Sequence, residues 1–273
     1  MRTNREKELM TRLSVLHRLS LSDAMTLLNV SESTARRLFT KLEKSGAVIR
    51  THGGIQSVNN AMTIYSFEHG ARTNISKKTA IAKAACSLLE DGDLIFCDSG
   101  TTIQCFCAQM VYYLQEKGIH VQVYTNSLAN LELLSPHMEV TLVGGIYRPN
   151  RKDFCGYLTE QALQGVFFNK SFVGTDGCQQ LNQFTTTDFE TARMNVVAMR
   201  NTERNIMLAD SSKFQKGAHV AYAKIESFYA IVTDDCADES LRNELNRCKA
   251  SIIYAPTILD DTQDEQIPEL TND

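Results

Sequence analysis

A chain of 273 residues that is 43% hydrophobic and 22% charged carries enough apolar material for a large core and a second, smaller domain. No apolar run approaches the roughly 20 residues needed to cross a bilayer, and the charged start MRTNREKEL lacks the apolar segment of a secretory leader, so the expected location is the cytoplasm. The net charge of −4 argues against a nucleic-acid partner only until it is divided: residues 1–60 hold ten Lys or Arg and five acids, a head of +5 on a body of −9, which is the footprint of a protein whose head alone meets phosphate.

From Arg5 to about His17, Leu9, Met10, Leu13, Val15 and Leu16 recur at helical spacing. Leu19-Ser20-Leu21-Ser22-Asp23 offers an N-cap for a short second helix carrying Ala24, Leu27 and Leu28. After the turn Asn29-Val30-Ser31, a third helix opens at Ser31 or Glu32 and runs to about Lys44, with Gly46 as its stop. Val48 to Ile55 reads as two short strands around Gly53-Gly54, a wing. The expectation is a winged helix-turn-helix over residues 1–57. Such a domain lodges its second helix in the major groove, where Arg clamps phosphate or reads guanine and Ser or Thr bonds either. Ser31, Ser33, Thr34, Arg36 and Arg37 crowd the start of that helix, and Lys41, Arg50 and His52 complete the candidate DNA-binding set. The competing reading is a small helical bundle with a solvated charged face.

Residues 58–75 lack periodicity and are expected to be a linker. Short apolar strands follow at Asp93–Cys97, His120–Tyr124, Val140–Val143, Ser171–Val173, Asn205–Leu208, Ala230–Val232 and Ser251–Tyr254, with helical patterns between most of them, as at Lys78–Leu89 and Thr102–Gln115. This alternation predicts an α/β domain over residues 76–257 with a mainly parallel sheet covered on both faces. The acidic, apolar-poor tail 258–273 is expected to be disordered.

In an open parallel sheet, ligands bind where loops leave the carboxyl ends of the strands. Here those loops are polar and small: Asp98-Ser99-Gly100-Thr101-Thr102, Thr125-Asn126-Ser127, Gly144-Gly145, Gly174-Thr175-Asp176-Gly177 and Asp210-Ser211-Ser212-Lys213. Ser99 to Thr102 precede a helix, whose backbone N–H groups and dipole favour an anion, and Lys213 adds a positive charge. Any one of these loops alone could be an ordinary turn; together they predict a polar crevice suited to a phosphorylated polyol. The eight cysteines lie largely in apolar runs and read as free buried thiols. Cys105-Phe-Cys107 lacks zinc spacing, and His17, His52, His69, His120, His137 and His219 are scattered, so neither metal nor cofactor is expected.

Val30-Ser31-Glu32-Ser33-Thr34-Ala35-Arg36-Arg37, then Leu42, Gly46 and Arg50-Thr51-His52-Gly53-Gly54, resemble the DeoR family of bacterial repressors, with Leu38 where the family carries Asp. The resemblance continues through IAKAACSLLEDGDLIFCDSGTT, VYTNSL, VTLVGGIYR, FVGTDG and IMLADSSKF, to about residue 254. It implies an isomerase-like sensor domain that binds a phosphorylated sugar. By position, Ser99, Gly100, Thr101 and Thr102 would hold phosphate, beside Asp98. Asn126, Ser127, Gly144, Gly145 and Asp176 would line the sugar site, Lys213 would stand next to it, and Thr187 and Glu190 match the family's Thr-Thr and Glu segment. Gln183 and Cys178 depart from the family pattern, which bears on sugar preference. The implied function is a repressor of a carbohydrate-utilisation operon, released from double-stranded operator DNA by its effector. One head reads one half-site, so a homodimer or homotetramer is expected. The alternative is a sugar-phosphate isomerase-like enzyme using Asp176, Glu190 and Lys213; an activator or architectural DNA protein leaves the crevice unexplained.

Overall fold

A reciprocal cap fixes the start of the second helix. Ser20 Oγ accepts from the Asp23 backbone N–H at 3.1 Å while Asp23 Oδ2 accepts from the Ser20 N–H at 3.2 Å, so two of the orphan donors of the first turn are satisfied. In the computed structural model, which describes residues 4–57 and 66–257 apart from His17, Gly46, His52 and Gln215, the chain divides into two compact units at His69/Gly70.

The first unit contains α1 (Asn4–Leu16), β1 (Arg18–Ser20), α2 (Leu21–Leu28), α3 (Glu32–Lys44), β2 (Val48–Thr51) and β3 (Gly54–Ser57). Asn29, at φ 47°, ends α2 in the left-handed region, which Asn tolerates. The wing is the antiparallel pair β2–β3, and β1, which the sequence pattern did not signal, adds a third strand on the far side of β3. That pairing requires Gly54: a Cβ there would lie 2.2 Å from the Leu19 carbonyl oxygen. Leu9, Leu13, Leu19, Leu28, Phe39, Leu42, Val48 and Ile55 form the core, with Val30 and Leu38 half-buried at its edge. Helix α3 closes with Ser45 as its C-cap; the stop expected at Gly46 lies outside the described residues.

Helix α4 (Phe67–Ala71) lies inside the segment read as a linker and straddles the division between the units. The second unit continues with α5 (Ile75–Cys86), β4 (Leu94–Cys97), α6 (Thr101–Lys117), β5 (Gln122–Thr125), α7 (Leu128–Leu134) and β6 (Val140–Leu142). There follow β7 (Ile146–Arg148), β8 (Asp153–Cys155), α8 (Tyr157–Gln164), β9 (Phe168–Val173), β10 (Gly177–Gln179) and β11 (Gln183–Thr186). The chain then forms α9 (Phe189–Arg200), β12 (Thr202–Leu208), β13 (Val220–Lys224), β14 (Ala230–Asp234), α10 (Glu239–Leu245) and β15 (Ser251–Ala255).

Seven strands form one all-parallel sheet in the order β15-β14-β12-β9-β4-β5-β6. Side chains alternate across it with the strand period of two. Ile95, Cys97, Phe172, Ile206, Leu208 and Val232 pack with α5 and α6, whereas Phe96, Val173, Met207 and Ile231 enter the cores on the opposite face. Both faces are therefore covered, which is why these strands read as continuous apolar runs. Two antiparallel additions, the hairpin β7–β8 and the sheet β10-β11-β13, stand beside the main sheet. All eight cysteines are free and five are buried. Among the described residues, no helix is long and apolar enough to cross a membrane. The acidic tail lies outside the described residues.

Candidate functional site

In the first unit, α3 buries Ala35, Phe39 and Leu42, which turns the intervening side chains outward. Ser33, Arg36, Arg37, Thr40, Lys41 and Lys44 line one open surface. Ser31 is the N-cap residue, and its hydroxyl lies 3.1 Å from those of both Ser33 and Thr34. Arg36 pairs with Glu32 one turn earlier, Nη2 to Oε1 at 2.6 Å, an exposed pair that is weak enough to exchange for a phosphate. Lys41 reaches back to the buried Glu6 at 2.6 Å, tying α3 to α1. Arg50 stacks on Phe39, its Cζ 4.9 Å from the ring centroid, so part of its role is to hold the wing on α3. His52 lies outside the described residues.

In the second unit, the five polar loops follow β4, β5, β6, β9 and β12, which are parallel, so all five emerge at one edge. Asp98 joins three of the elements there. Its Oδ1 accepts from the Ser99 N–H at 2.6 Å, its Oδ2 from the Gly174 N–H at 3.2 Å and Asn195 Nδ2 at 3.4 Å, and its carbonyl from Asn130 Nδ2 at 2.9 Å. Burial raises the Asp98 carboxyl above the ordinary carboxylate range, against the pull of the Ser99 and Gly174 N–H groups. Asn126 and Ser127 are fully buried; Asn126 Nδ2 donates to the Phe154 carbonyl at 3.0 Å, and Ser127 Oγ caps α7 by accepting from the Asn130 N–H at 3.2 Å.

Gly145 is a packing glycine. A Cβ would stand 2.1 Å from Thr159 Oγ1 and 2.6 Å from the Cys155 carbonyl oxygen, and the same Thr159 hydroxyl donates to the Gly144 carbonyl at 2.9 Å. Asp176 Oδ2 accepts from the Thr187 N–H and Oγ1 at 2.9 and 3.0 Å and from Thr186 Oγ1 at 3.1 Å. Glu190 is exposed on the first turn of α9; its side chain makes no hydrogen bond or ion pair with the described residues, but it lies close enough to Cys155 to add to burial in raising that thiol, together with Asp153 and Asp188.

Lys78 stands beside the start of α6, with Lys213 close enough to perturb it. Gly70 abuts Thr101, since a Cβ on Gly70 would lie 3.2 Å from Thr101 Cγ2. Lys78, only 4% exposed, donates its Nζ to the Gly70 carbonyl. Burial first, and then the charge of Lys213, push the Lys78 ammonium down to about 8, opposed by Cys105 and Asp210. Lys216 is likewise lowered, by burial and by Lys213. The turn bearing Lys213 is held by Asp234, whose Oδ2 accepts from the Ser211 N–H at 2.6 Å. Lys78 and Lys216 were not among the residues picked from sequence; Lys78, inside the helical apolar pattern of α5, reads as a solvated residue until its burial is known, and Lys216 lies in an exposed loop before β13.

The sequence reading also passed over Arg148, Arg151, Asp153 and Asp188. The hairpin β7–β8 brings Asp153, fully buried, to Ser99, whose Oγ lies 2.9 Å from Asp153 Oδ2. Arg148 grips Asp153 bidentately, Nε to Oδ1 at 2.8 Å and Nη2 to Oδ2 at 2.7 Å, and reaches Asp188 Oδ1 with Nη1 at 2.8 Å. Arg151 stands between Asp188 (3.1 Å), Asp153 (3.6 Å) and Asp176 (4.0 Å). Burial raises the Asp188 carboxyl, but the Thr191 N–H, Arg151 and Arg148 outweigh it and hold it below its usual range. The only advance signal was the basic run Arg148-Pro-Asn-Arg-Lys-Asp153 within an apolar neighbourhood.

Residues 5–61 match the family described as the DeoR-like helix-turn-helix domain, and residues 73–235 match the DeoR C terminal sensor domain. The chain is 31% identical over 214 residues to the lactose phosphotransferase system repressor of Staphylococcus epidermidis, covering 76% of this chain and 82% of that protein. It is 31% identical over 215 residues to the uncharacterized HTH-type transcriptional regulator FruR of Bacillus subtilis (78% and 84%), and 27% identical over 234 residues to the HTH-type transcriptional regulator GlpR of Haloferax volcanii (86% and 89%). Among solved structures, ribose 5-phosphate isomerase A from Methanocaldococcus jannaschii is similar over 52% of this chain and 55% of that one, at 20% identity and a TM-score of 0.40. With one family matched in the head and its sensor matched across the crevice, the chain belongs to the DeoR family and is a transcriptional regulator rather than an enzyme.

Proposed function

We propose that the protein represses a carbohydrate-utilisation operon and is released from its operator by a phosphorylated sugar or sugar alcohol bound at the carboxyl edge of the parallel sheet. The observation that carries this reading is the buried Lys78 beside the start of α6. A buried Lys78, perturbed by Lys213, which also perturbs Lys216, stands where the N-terminal turn of α6 offers Thr101 and Thr102. Asp210 offsets only part of the mutual repulsion of these lysines, and a phosphate dianion would supply further negative charge. Ser99, Gly100, Thr101 and Thr102 then hold the phosphate, and Asp98, Asn126, Ser127, Gly144, Gly145, Asp176 and Thr187 surround the polyol. The names of the relatives, one of them a repressor of a lactose phosphotransferase system, support a sugar-linked operon.

DNA is met by the outward face of α3 through Ser31, Ser33, Thr34, Arg36, Arg37 and Lys41, with Arg50 and His52 on the wing. Because one head covers one half-site, the working form is a homodimer or homotetramer in the cytoplasm. The effector releases DNA by binding one of two conformations better.

The experiment is thermal unfolding of the full chain against a panel of sugar and polyol phosphates beside their unphosphorylated parents. A true effector at about 100 times its Kd stabilises by roughly 2.7 kcal/mol, about 5–10 °C for a domain of this size. Equal shifts from the free sugars, or no shift across the panel, would overturn the phosphate-sensor reading.

A further inference from the structure

Among the large apolar side chains that the described residues leave exposed, four meet on one surface: Ile146, Tyr157, Leu158 and Phe189, each at least 68% exposed. Ile146 shares a face of the hairpin β7–β8 with Cys155, its register partner. Its Cδ1 lies 3.3 Å from where a Cβ on Gly156 would stand, so it leans over the residue that precedes Tyr157 and Leu158. Two contacts bring the start of α9 to the same place. Arg148, two residues along β7 from Ile146, bonds to Asp188, the N-cap residue before Phe189, at 2.8 Å. One turn further on, Arg193 of α9 reaches Glu160 of α8, also at 2.8 Å. Tyr147 points to the other face of the hairpin, where its ring packs on Phe154.

Resting on the homo-oligomer reading above, we infer that this apolar surface, made by the hairpin and the first turns of α8 and α9, is a two-fold contact between copies of the chain. A head that reads one half-site supplies the need for a second copy. The area suffices. With a large side chain burying about 150–250 Å², four exposed to this degree offer roughly 500 Å², close to the apolar part of the ~800 Å² that each partner gives to a stable interface. A two-fold contact must be self-complementary, and its rim meets that condition. Glu190 and Arg193, both exposed on α9, carry opposite signs, so a rotated copy sets one against the other, whereas a strongly charged partner finds no matching field. The chain's own residues 258–273, with six acids and no basic residue, would bring like charge to Glu190 and are a poor cover.

The test is sedimentation equilibrium of the full chain at micromolar concentration. Leu158→Glu and Phe189→Glu place a charge in the patch within the first turn of a helix, where an acid suits the helix dipole, so each subunit should keep its fold; melting reports whether it does. Wild type should sediment as an oligomer and each variant at half its mass or less, the association weakened at least about hundredfold. Phe167→Glu, 79% exposed before β9 and outside the patch, should assemble like wild type. Should the charged variants fail to fold, benzoylphenylalanine at Phe189 exchanges ring for ring and decides the same question. Its photocrosslinks between copies should land on residues 144–160 or 186–193. Folded Leu158→Glu and Phe189→Glu that keep the wild-type mass, equal dissociation by Phe167→Glu, or crosslinks that are absent or land elsewhere overturn this surface and leave the oligomer standing. A wild-type chain that sediments as a monomer overturns the oligomer reading, and the surface falls with it.

Discussion

The hydroxyl of Ser99 and the carboxylate of Asp153 lie 2.9 Å apart although 54 residues separate them in the chain. Through this contact the loop proposed to hold phosphate is joined to the network of Arg148, Arg151, Asp153 and Asp188. A phosphate arriving at Ser99 places a second anion beside a buried one.

Lys213→Met separates effector sensing from DNA binding. It keeps most of the apolar stem and removes the charge; a hydrogen bond to a charged group contributes about 1.5–3 kcal/mol, so effector affinity should fall roughly 10–150-fold. Operator affinity without effector should stay within about twofold of wild type, because Lys213 belongs to the sensor unit. Operator binding across an effector titration reads both, and release of DNA at the wild-type effector concentration would remove Lys213 from the site.

The low value of Lys78 gives a pH signature. Burial and Lys213 hold its ammonium at about 8 rather than the ordinary 10.5, so above pH 8 the free protein carries it neutral, and binding a phosphate beside it must take up a proton. Effector affinity should be level between about pH 7, above the second ionisation of the phosphate at about 6, and pH 8, and then weaken with rising pH, log Kd climbing with a slope approaching about 1. The unliganded protein responds with the opposite sign. Its unfolded form binds more protons between pH 8 and 10.5, so this lysine's contribution to stability improves as pH rises through that window. Titration in buffers of different ionisation enthalpy measures the uptake, and Lys78→Met should abolish it.

Replacing Arg36 and Arg37 with Ala should weaken operator binding and flatten its salt dependence. Each lost phosphate contact removes about 0.9 from the slope of log K against log salt, so the pair should lower it by roughly 1–2. Breaking the exposed Arg36–Glu32 pair costs the fold little, and the double variant should melt near wild type. An unchanged slope in a folded variant would place the DNA-binding face elsewhere.

Gly145→Ala tests whether that glycine serves packing before ligand. The new Cβ collides with the Thr159 hydroxyl and with the Cys155 backbone, and overpacking of this kind costs about 1–3 kcal/mol. The unliganded protein should melt roughly 3–10 °C lower. Gly144→Ala meets nothing within 4 Å and should leave the melting temperature unchanged; equal melting of the two variants would refute the packing role.

Much of the molecule was legible in the linear pattern because the relevant forces act over a few residues. The Ser20–Asp23 cap, the apolar spacing of α1 and α3, and the continuous apolar runs of the parallel strands depend only on helical or strand periodicity, and the loops that leave those strands could be named in advance. The structure added β1, α4 and the antiparallel sheets, whose short segments carry too little periodicity to announce themselves. The site divided in the same way. Gly100, Thr101 and Thr102 follow from one strand-to-helix turn, but Asp153, Arg148, Asp188 and Lys78 do not. Their chemistry arises from burial and from partners at sequence separations of 54 for Ser99–Asp153 and 40 for Arg148–Asp188. Only the register of the β7–β8 hairpin and the order of the parallel strands bring those charges within bonding distance. A charged residue in the linear sequence is solvated by default, and only tertiary packing removes the water and makes its partner matter.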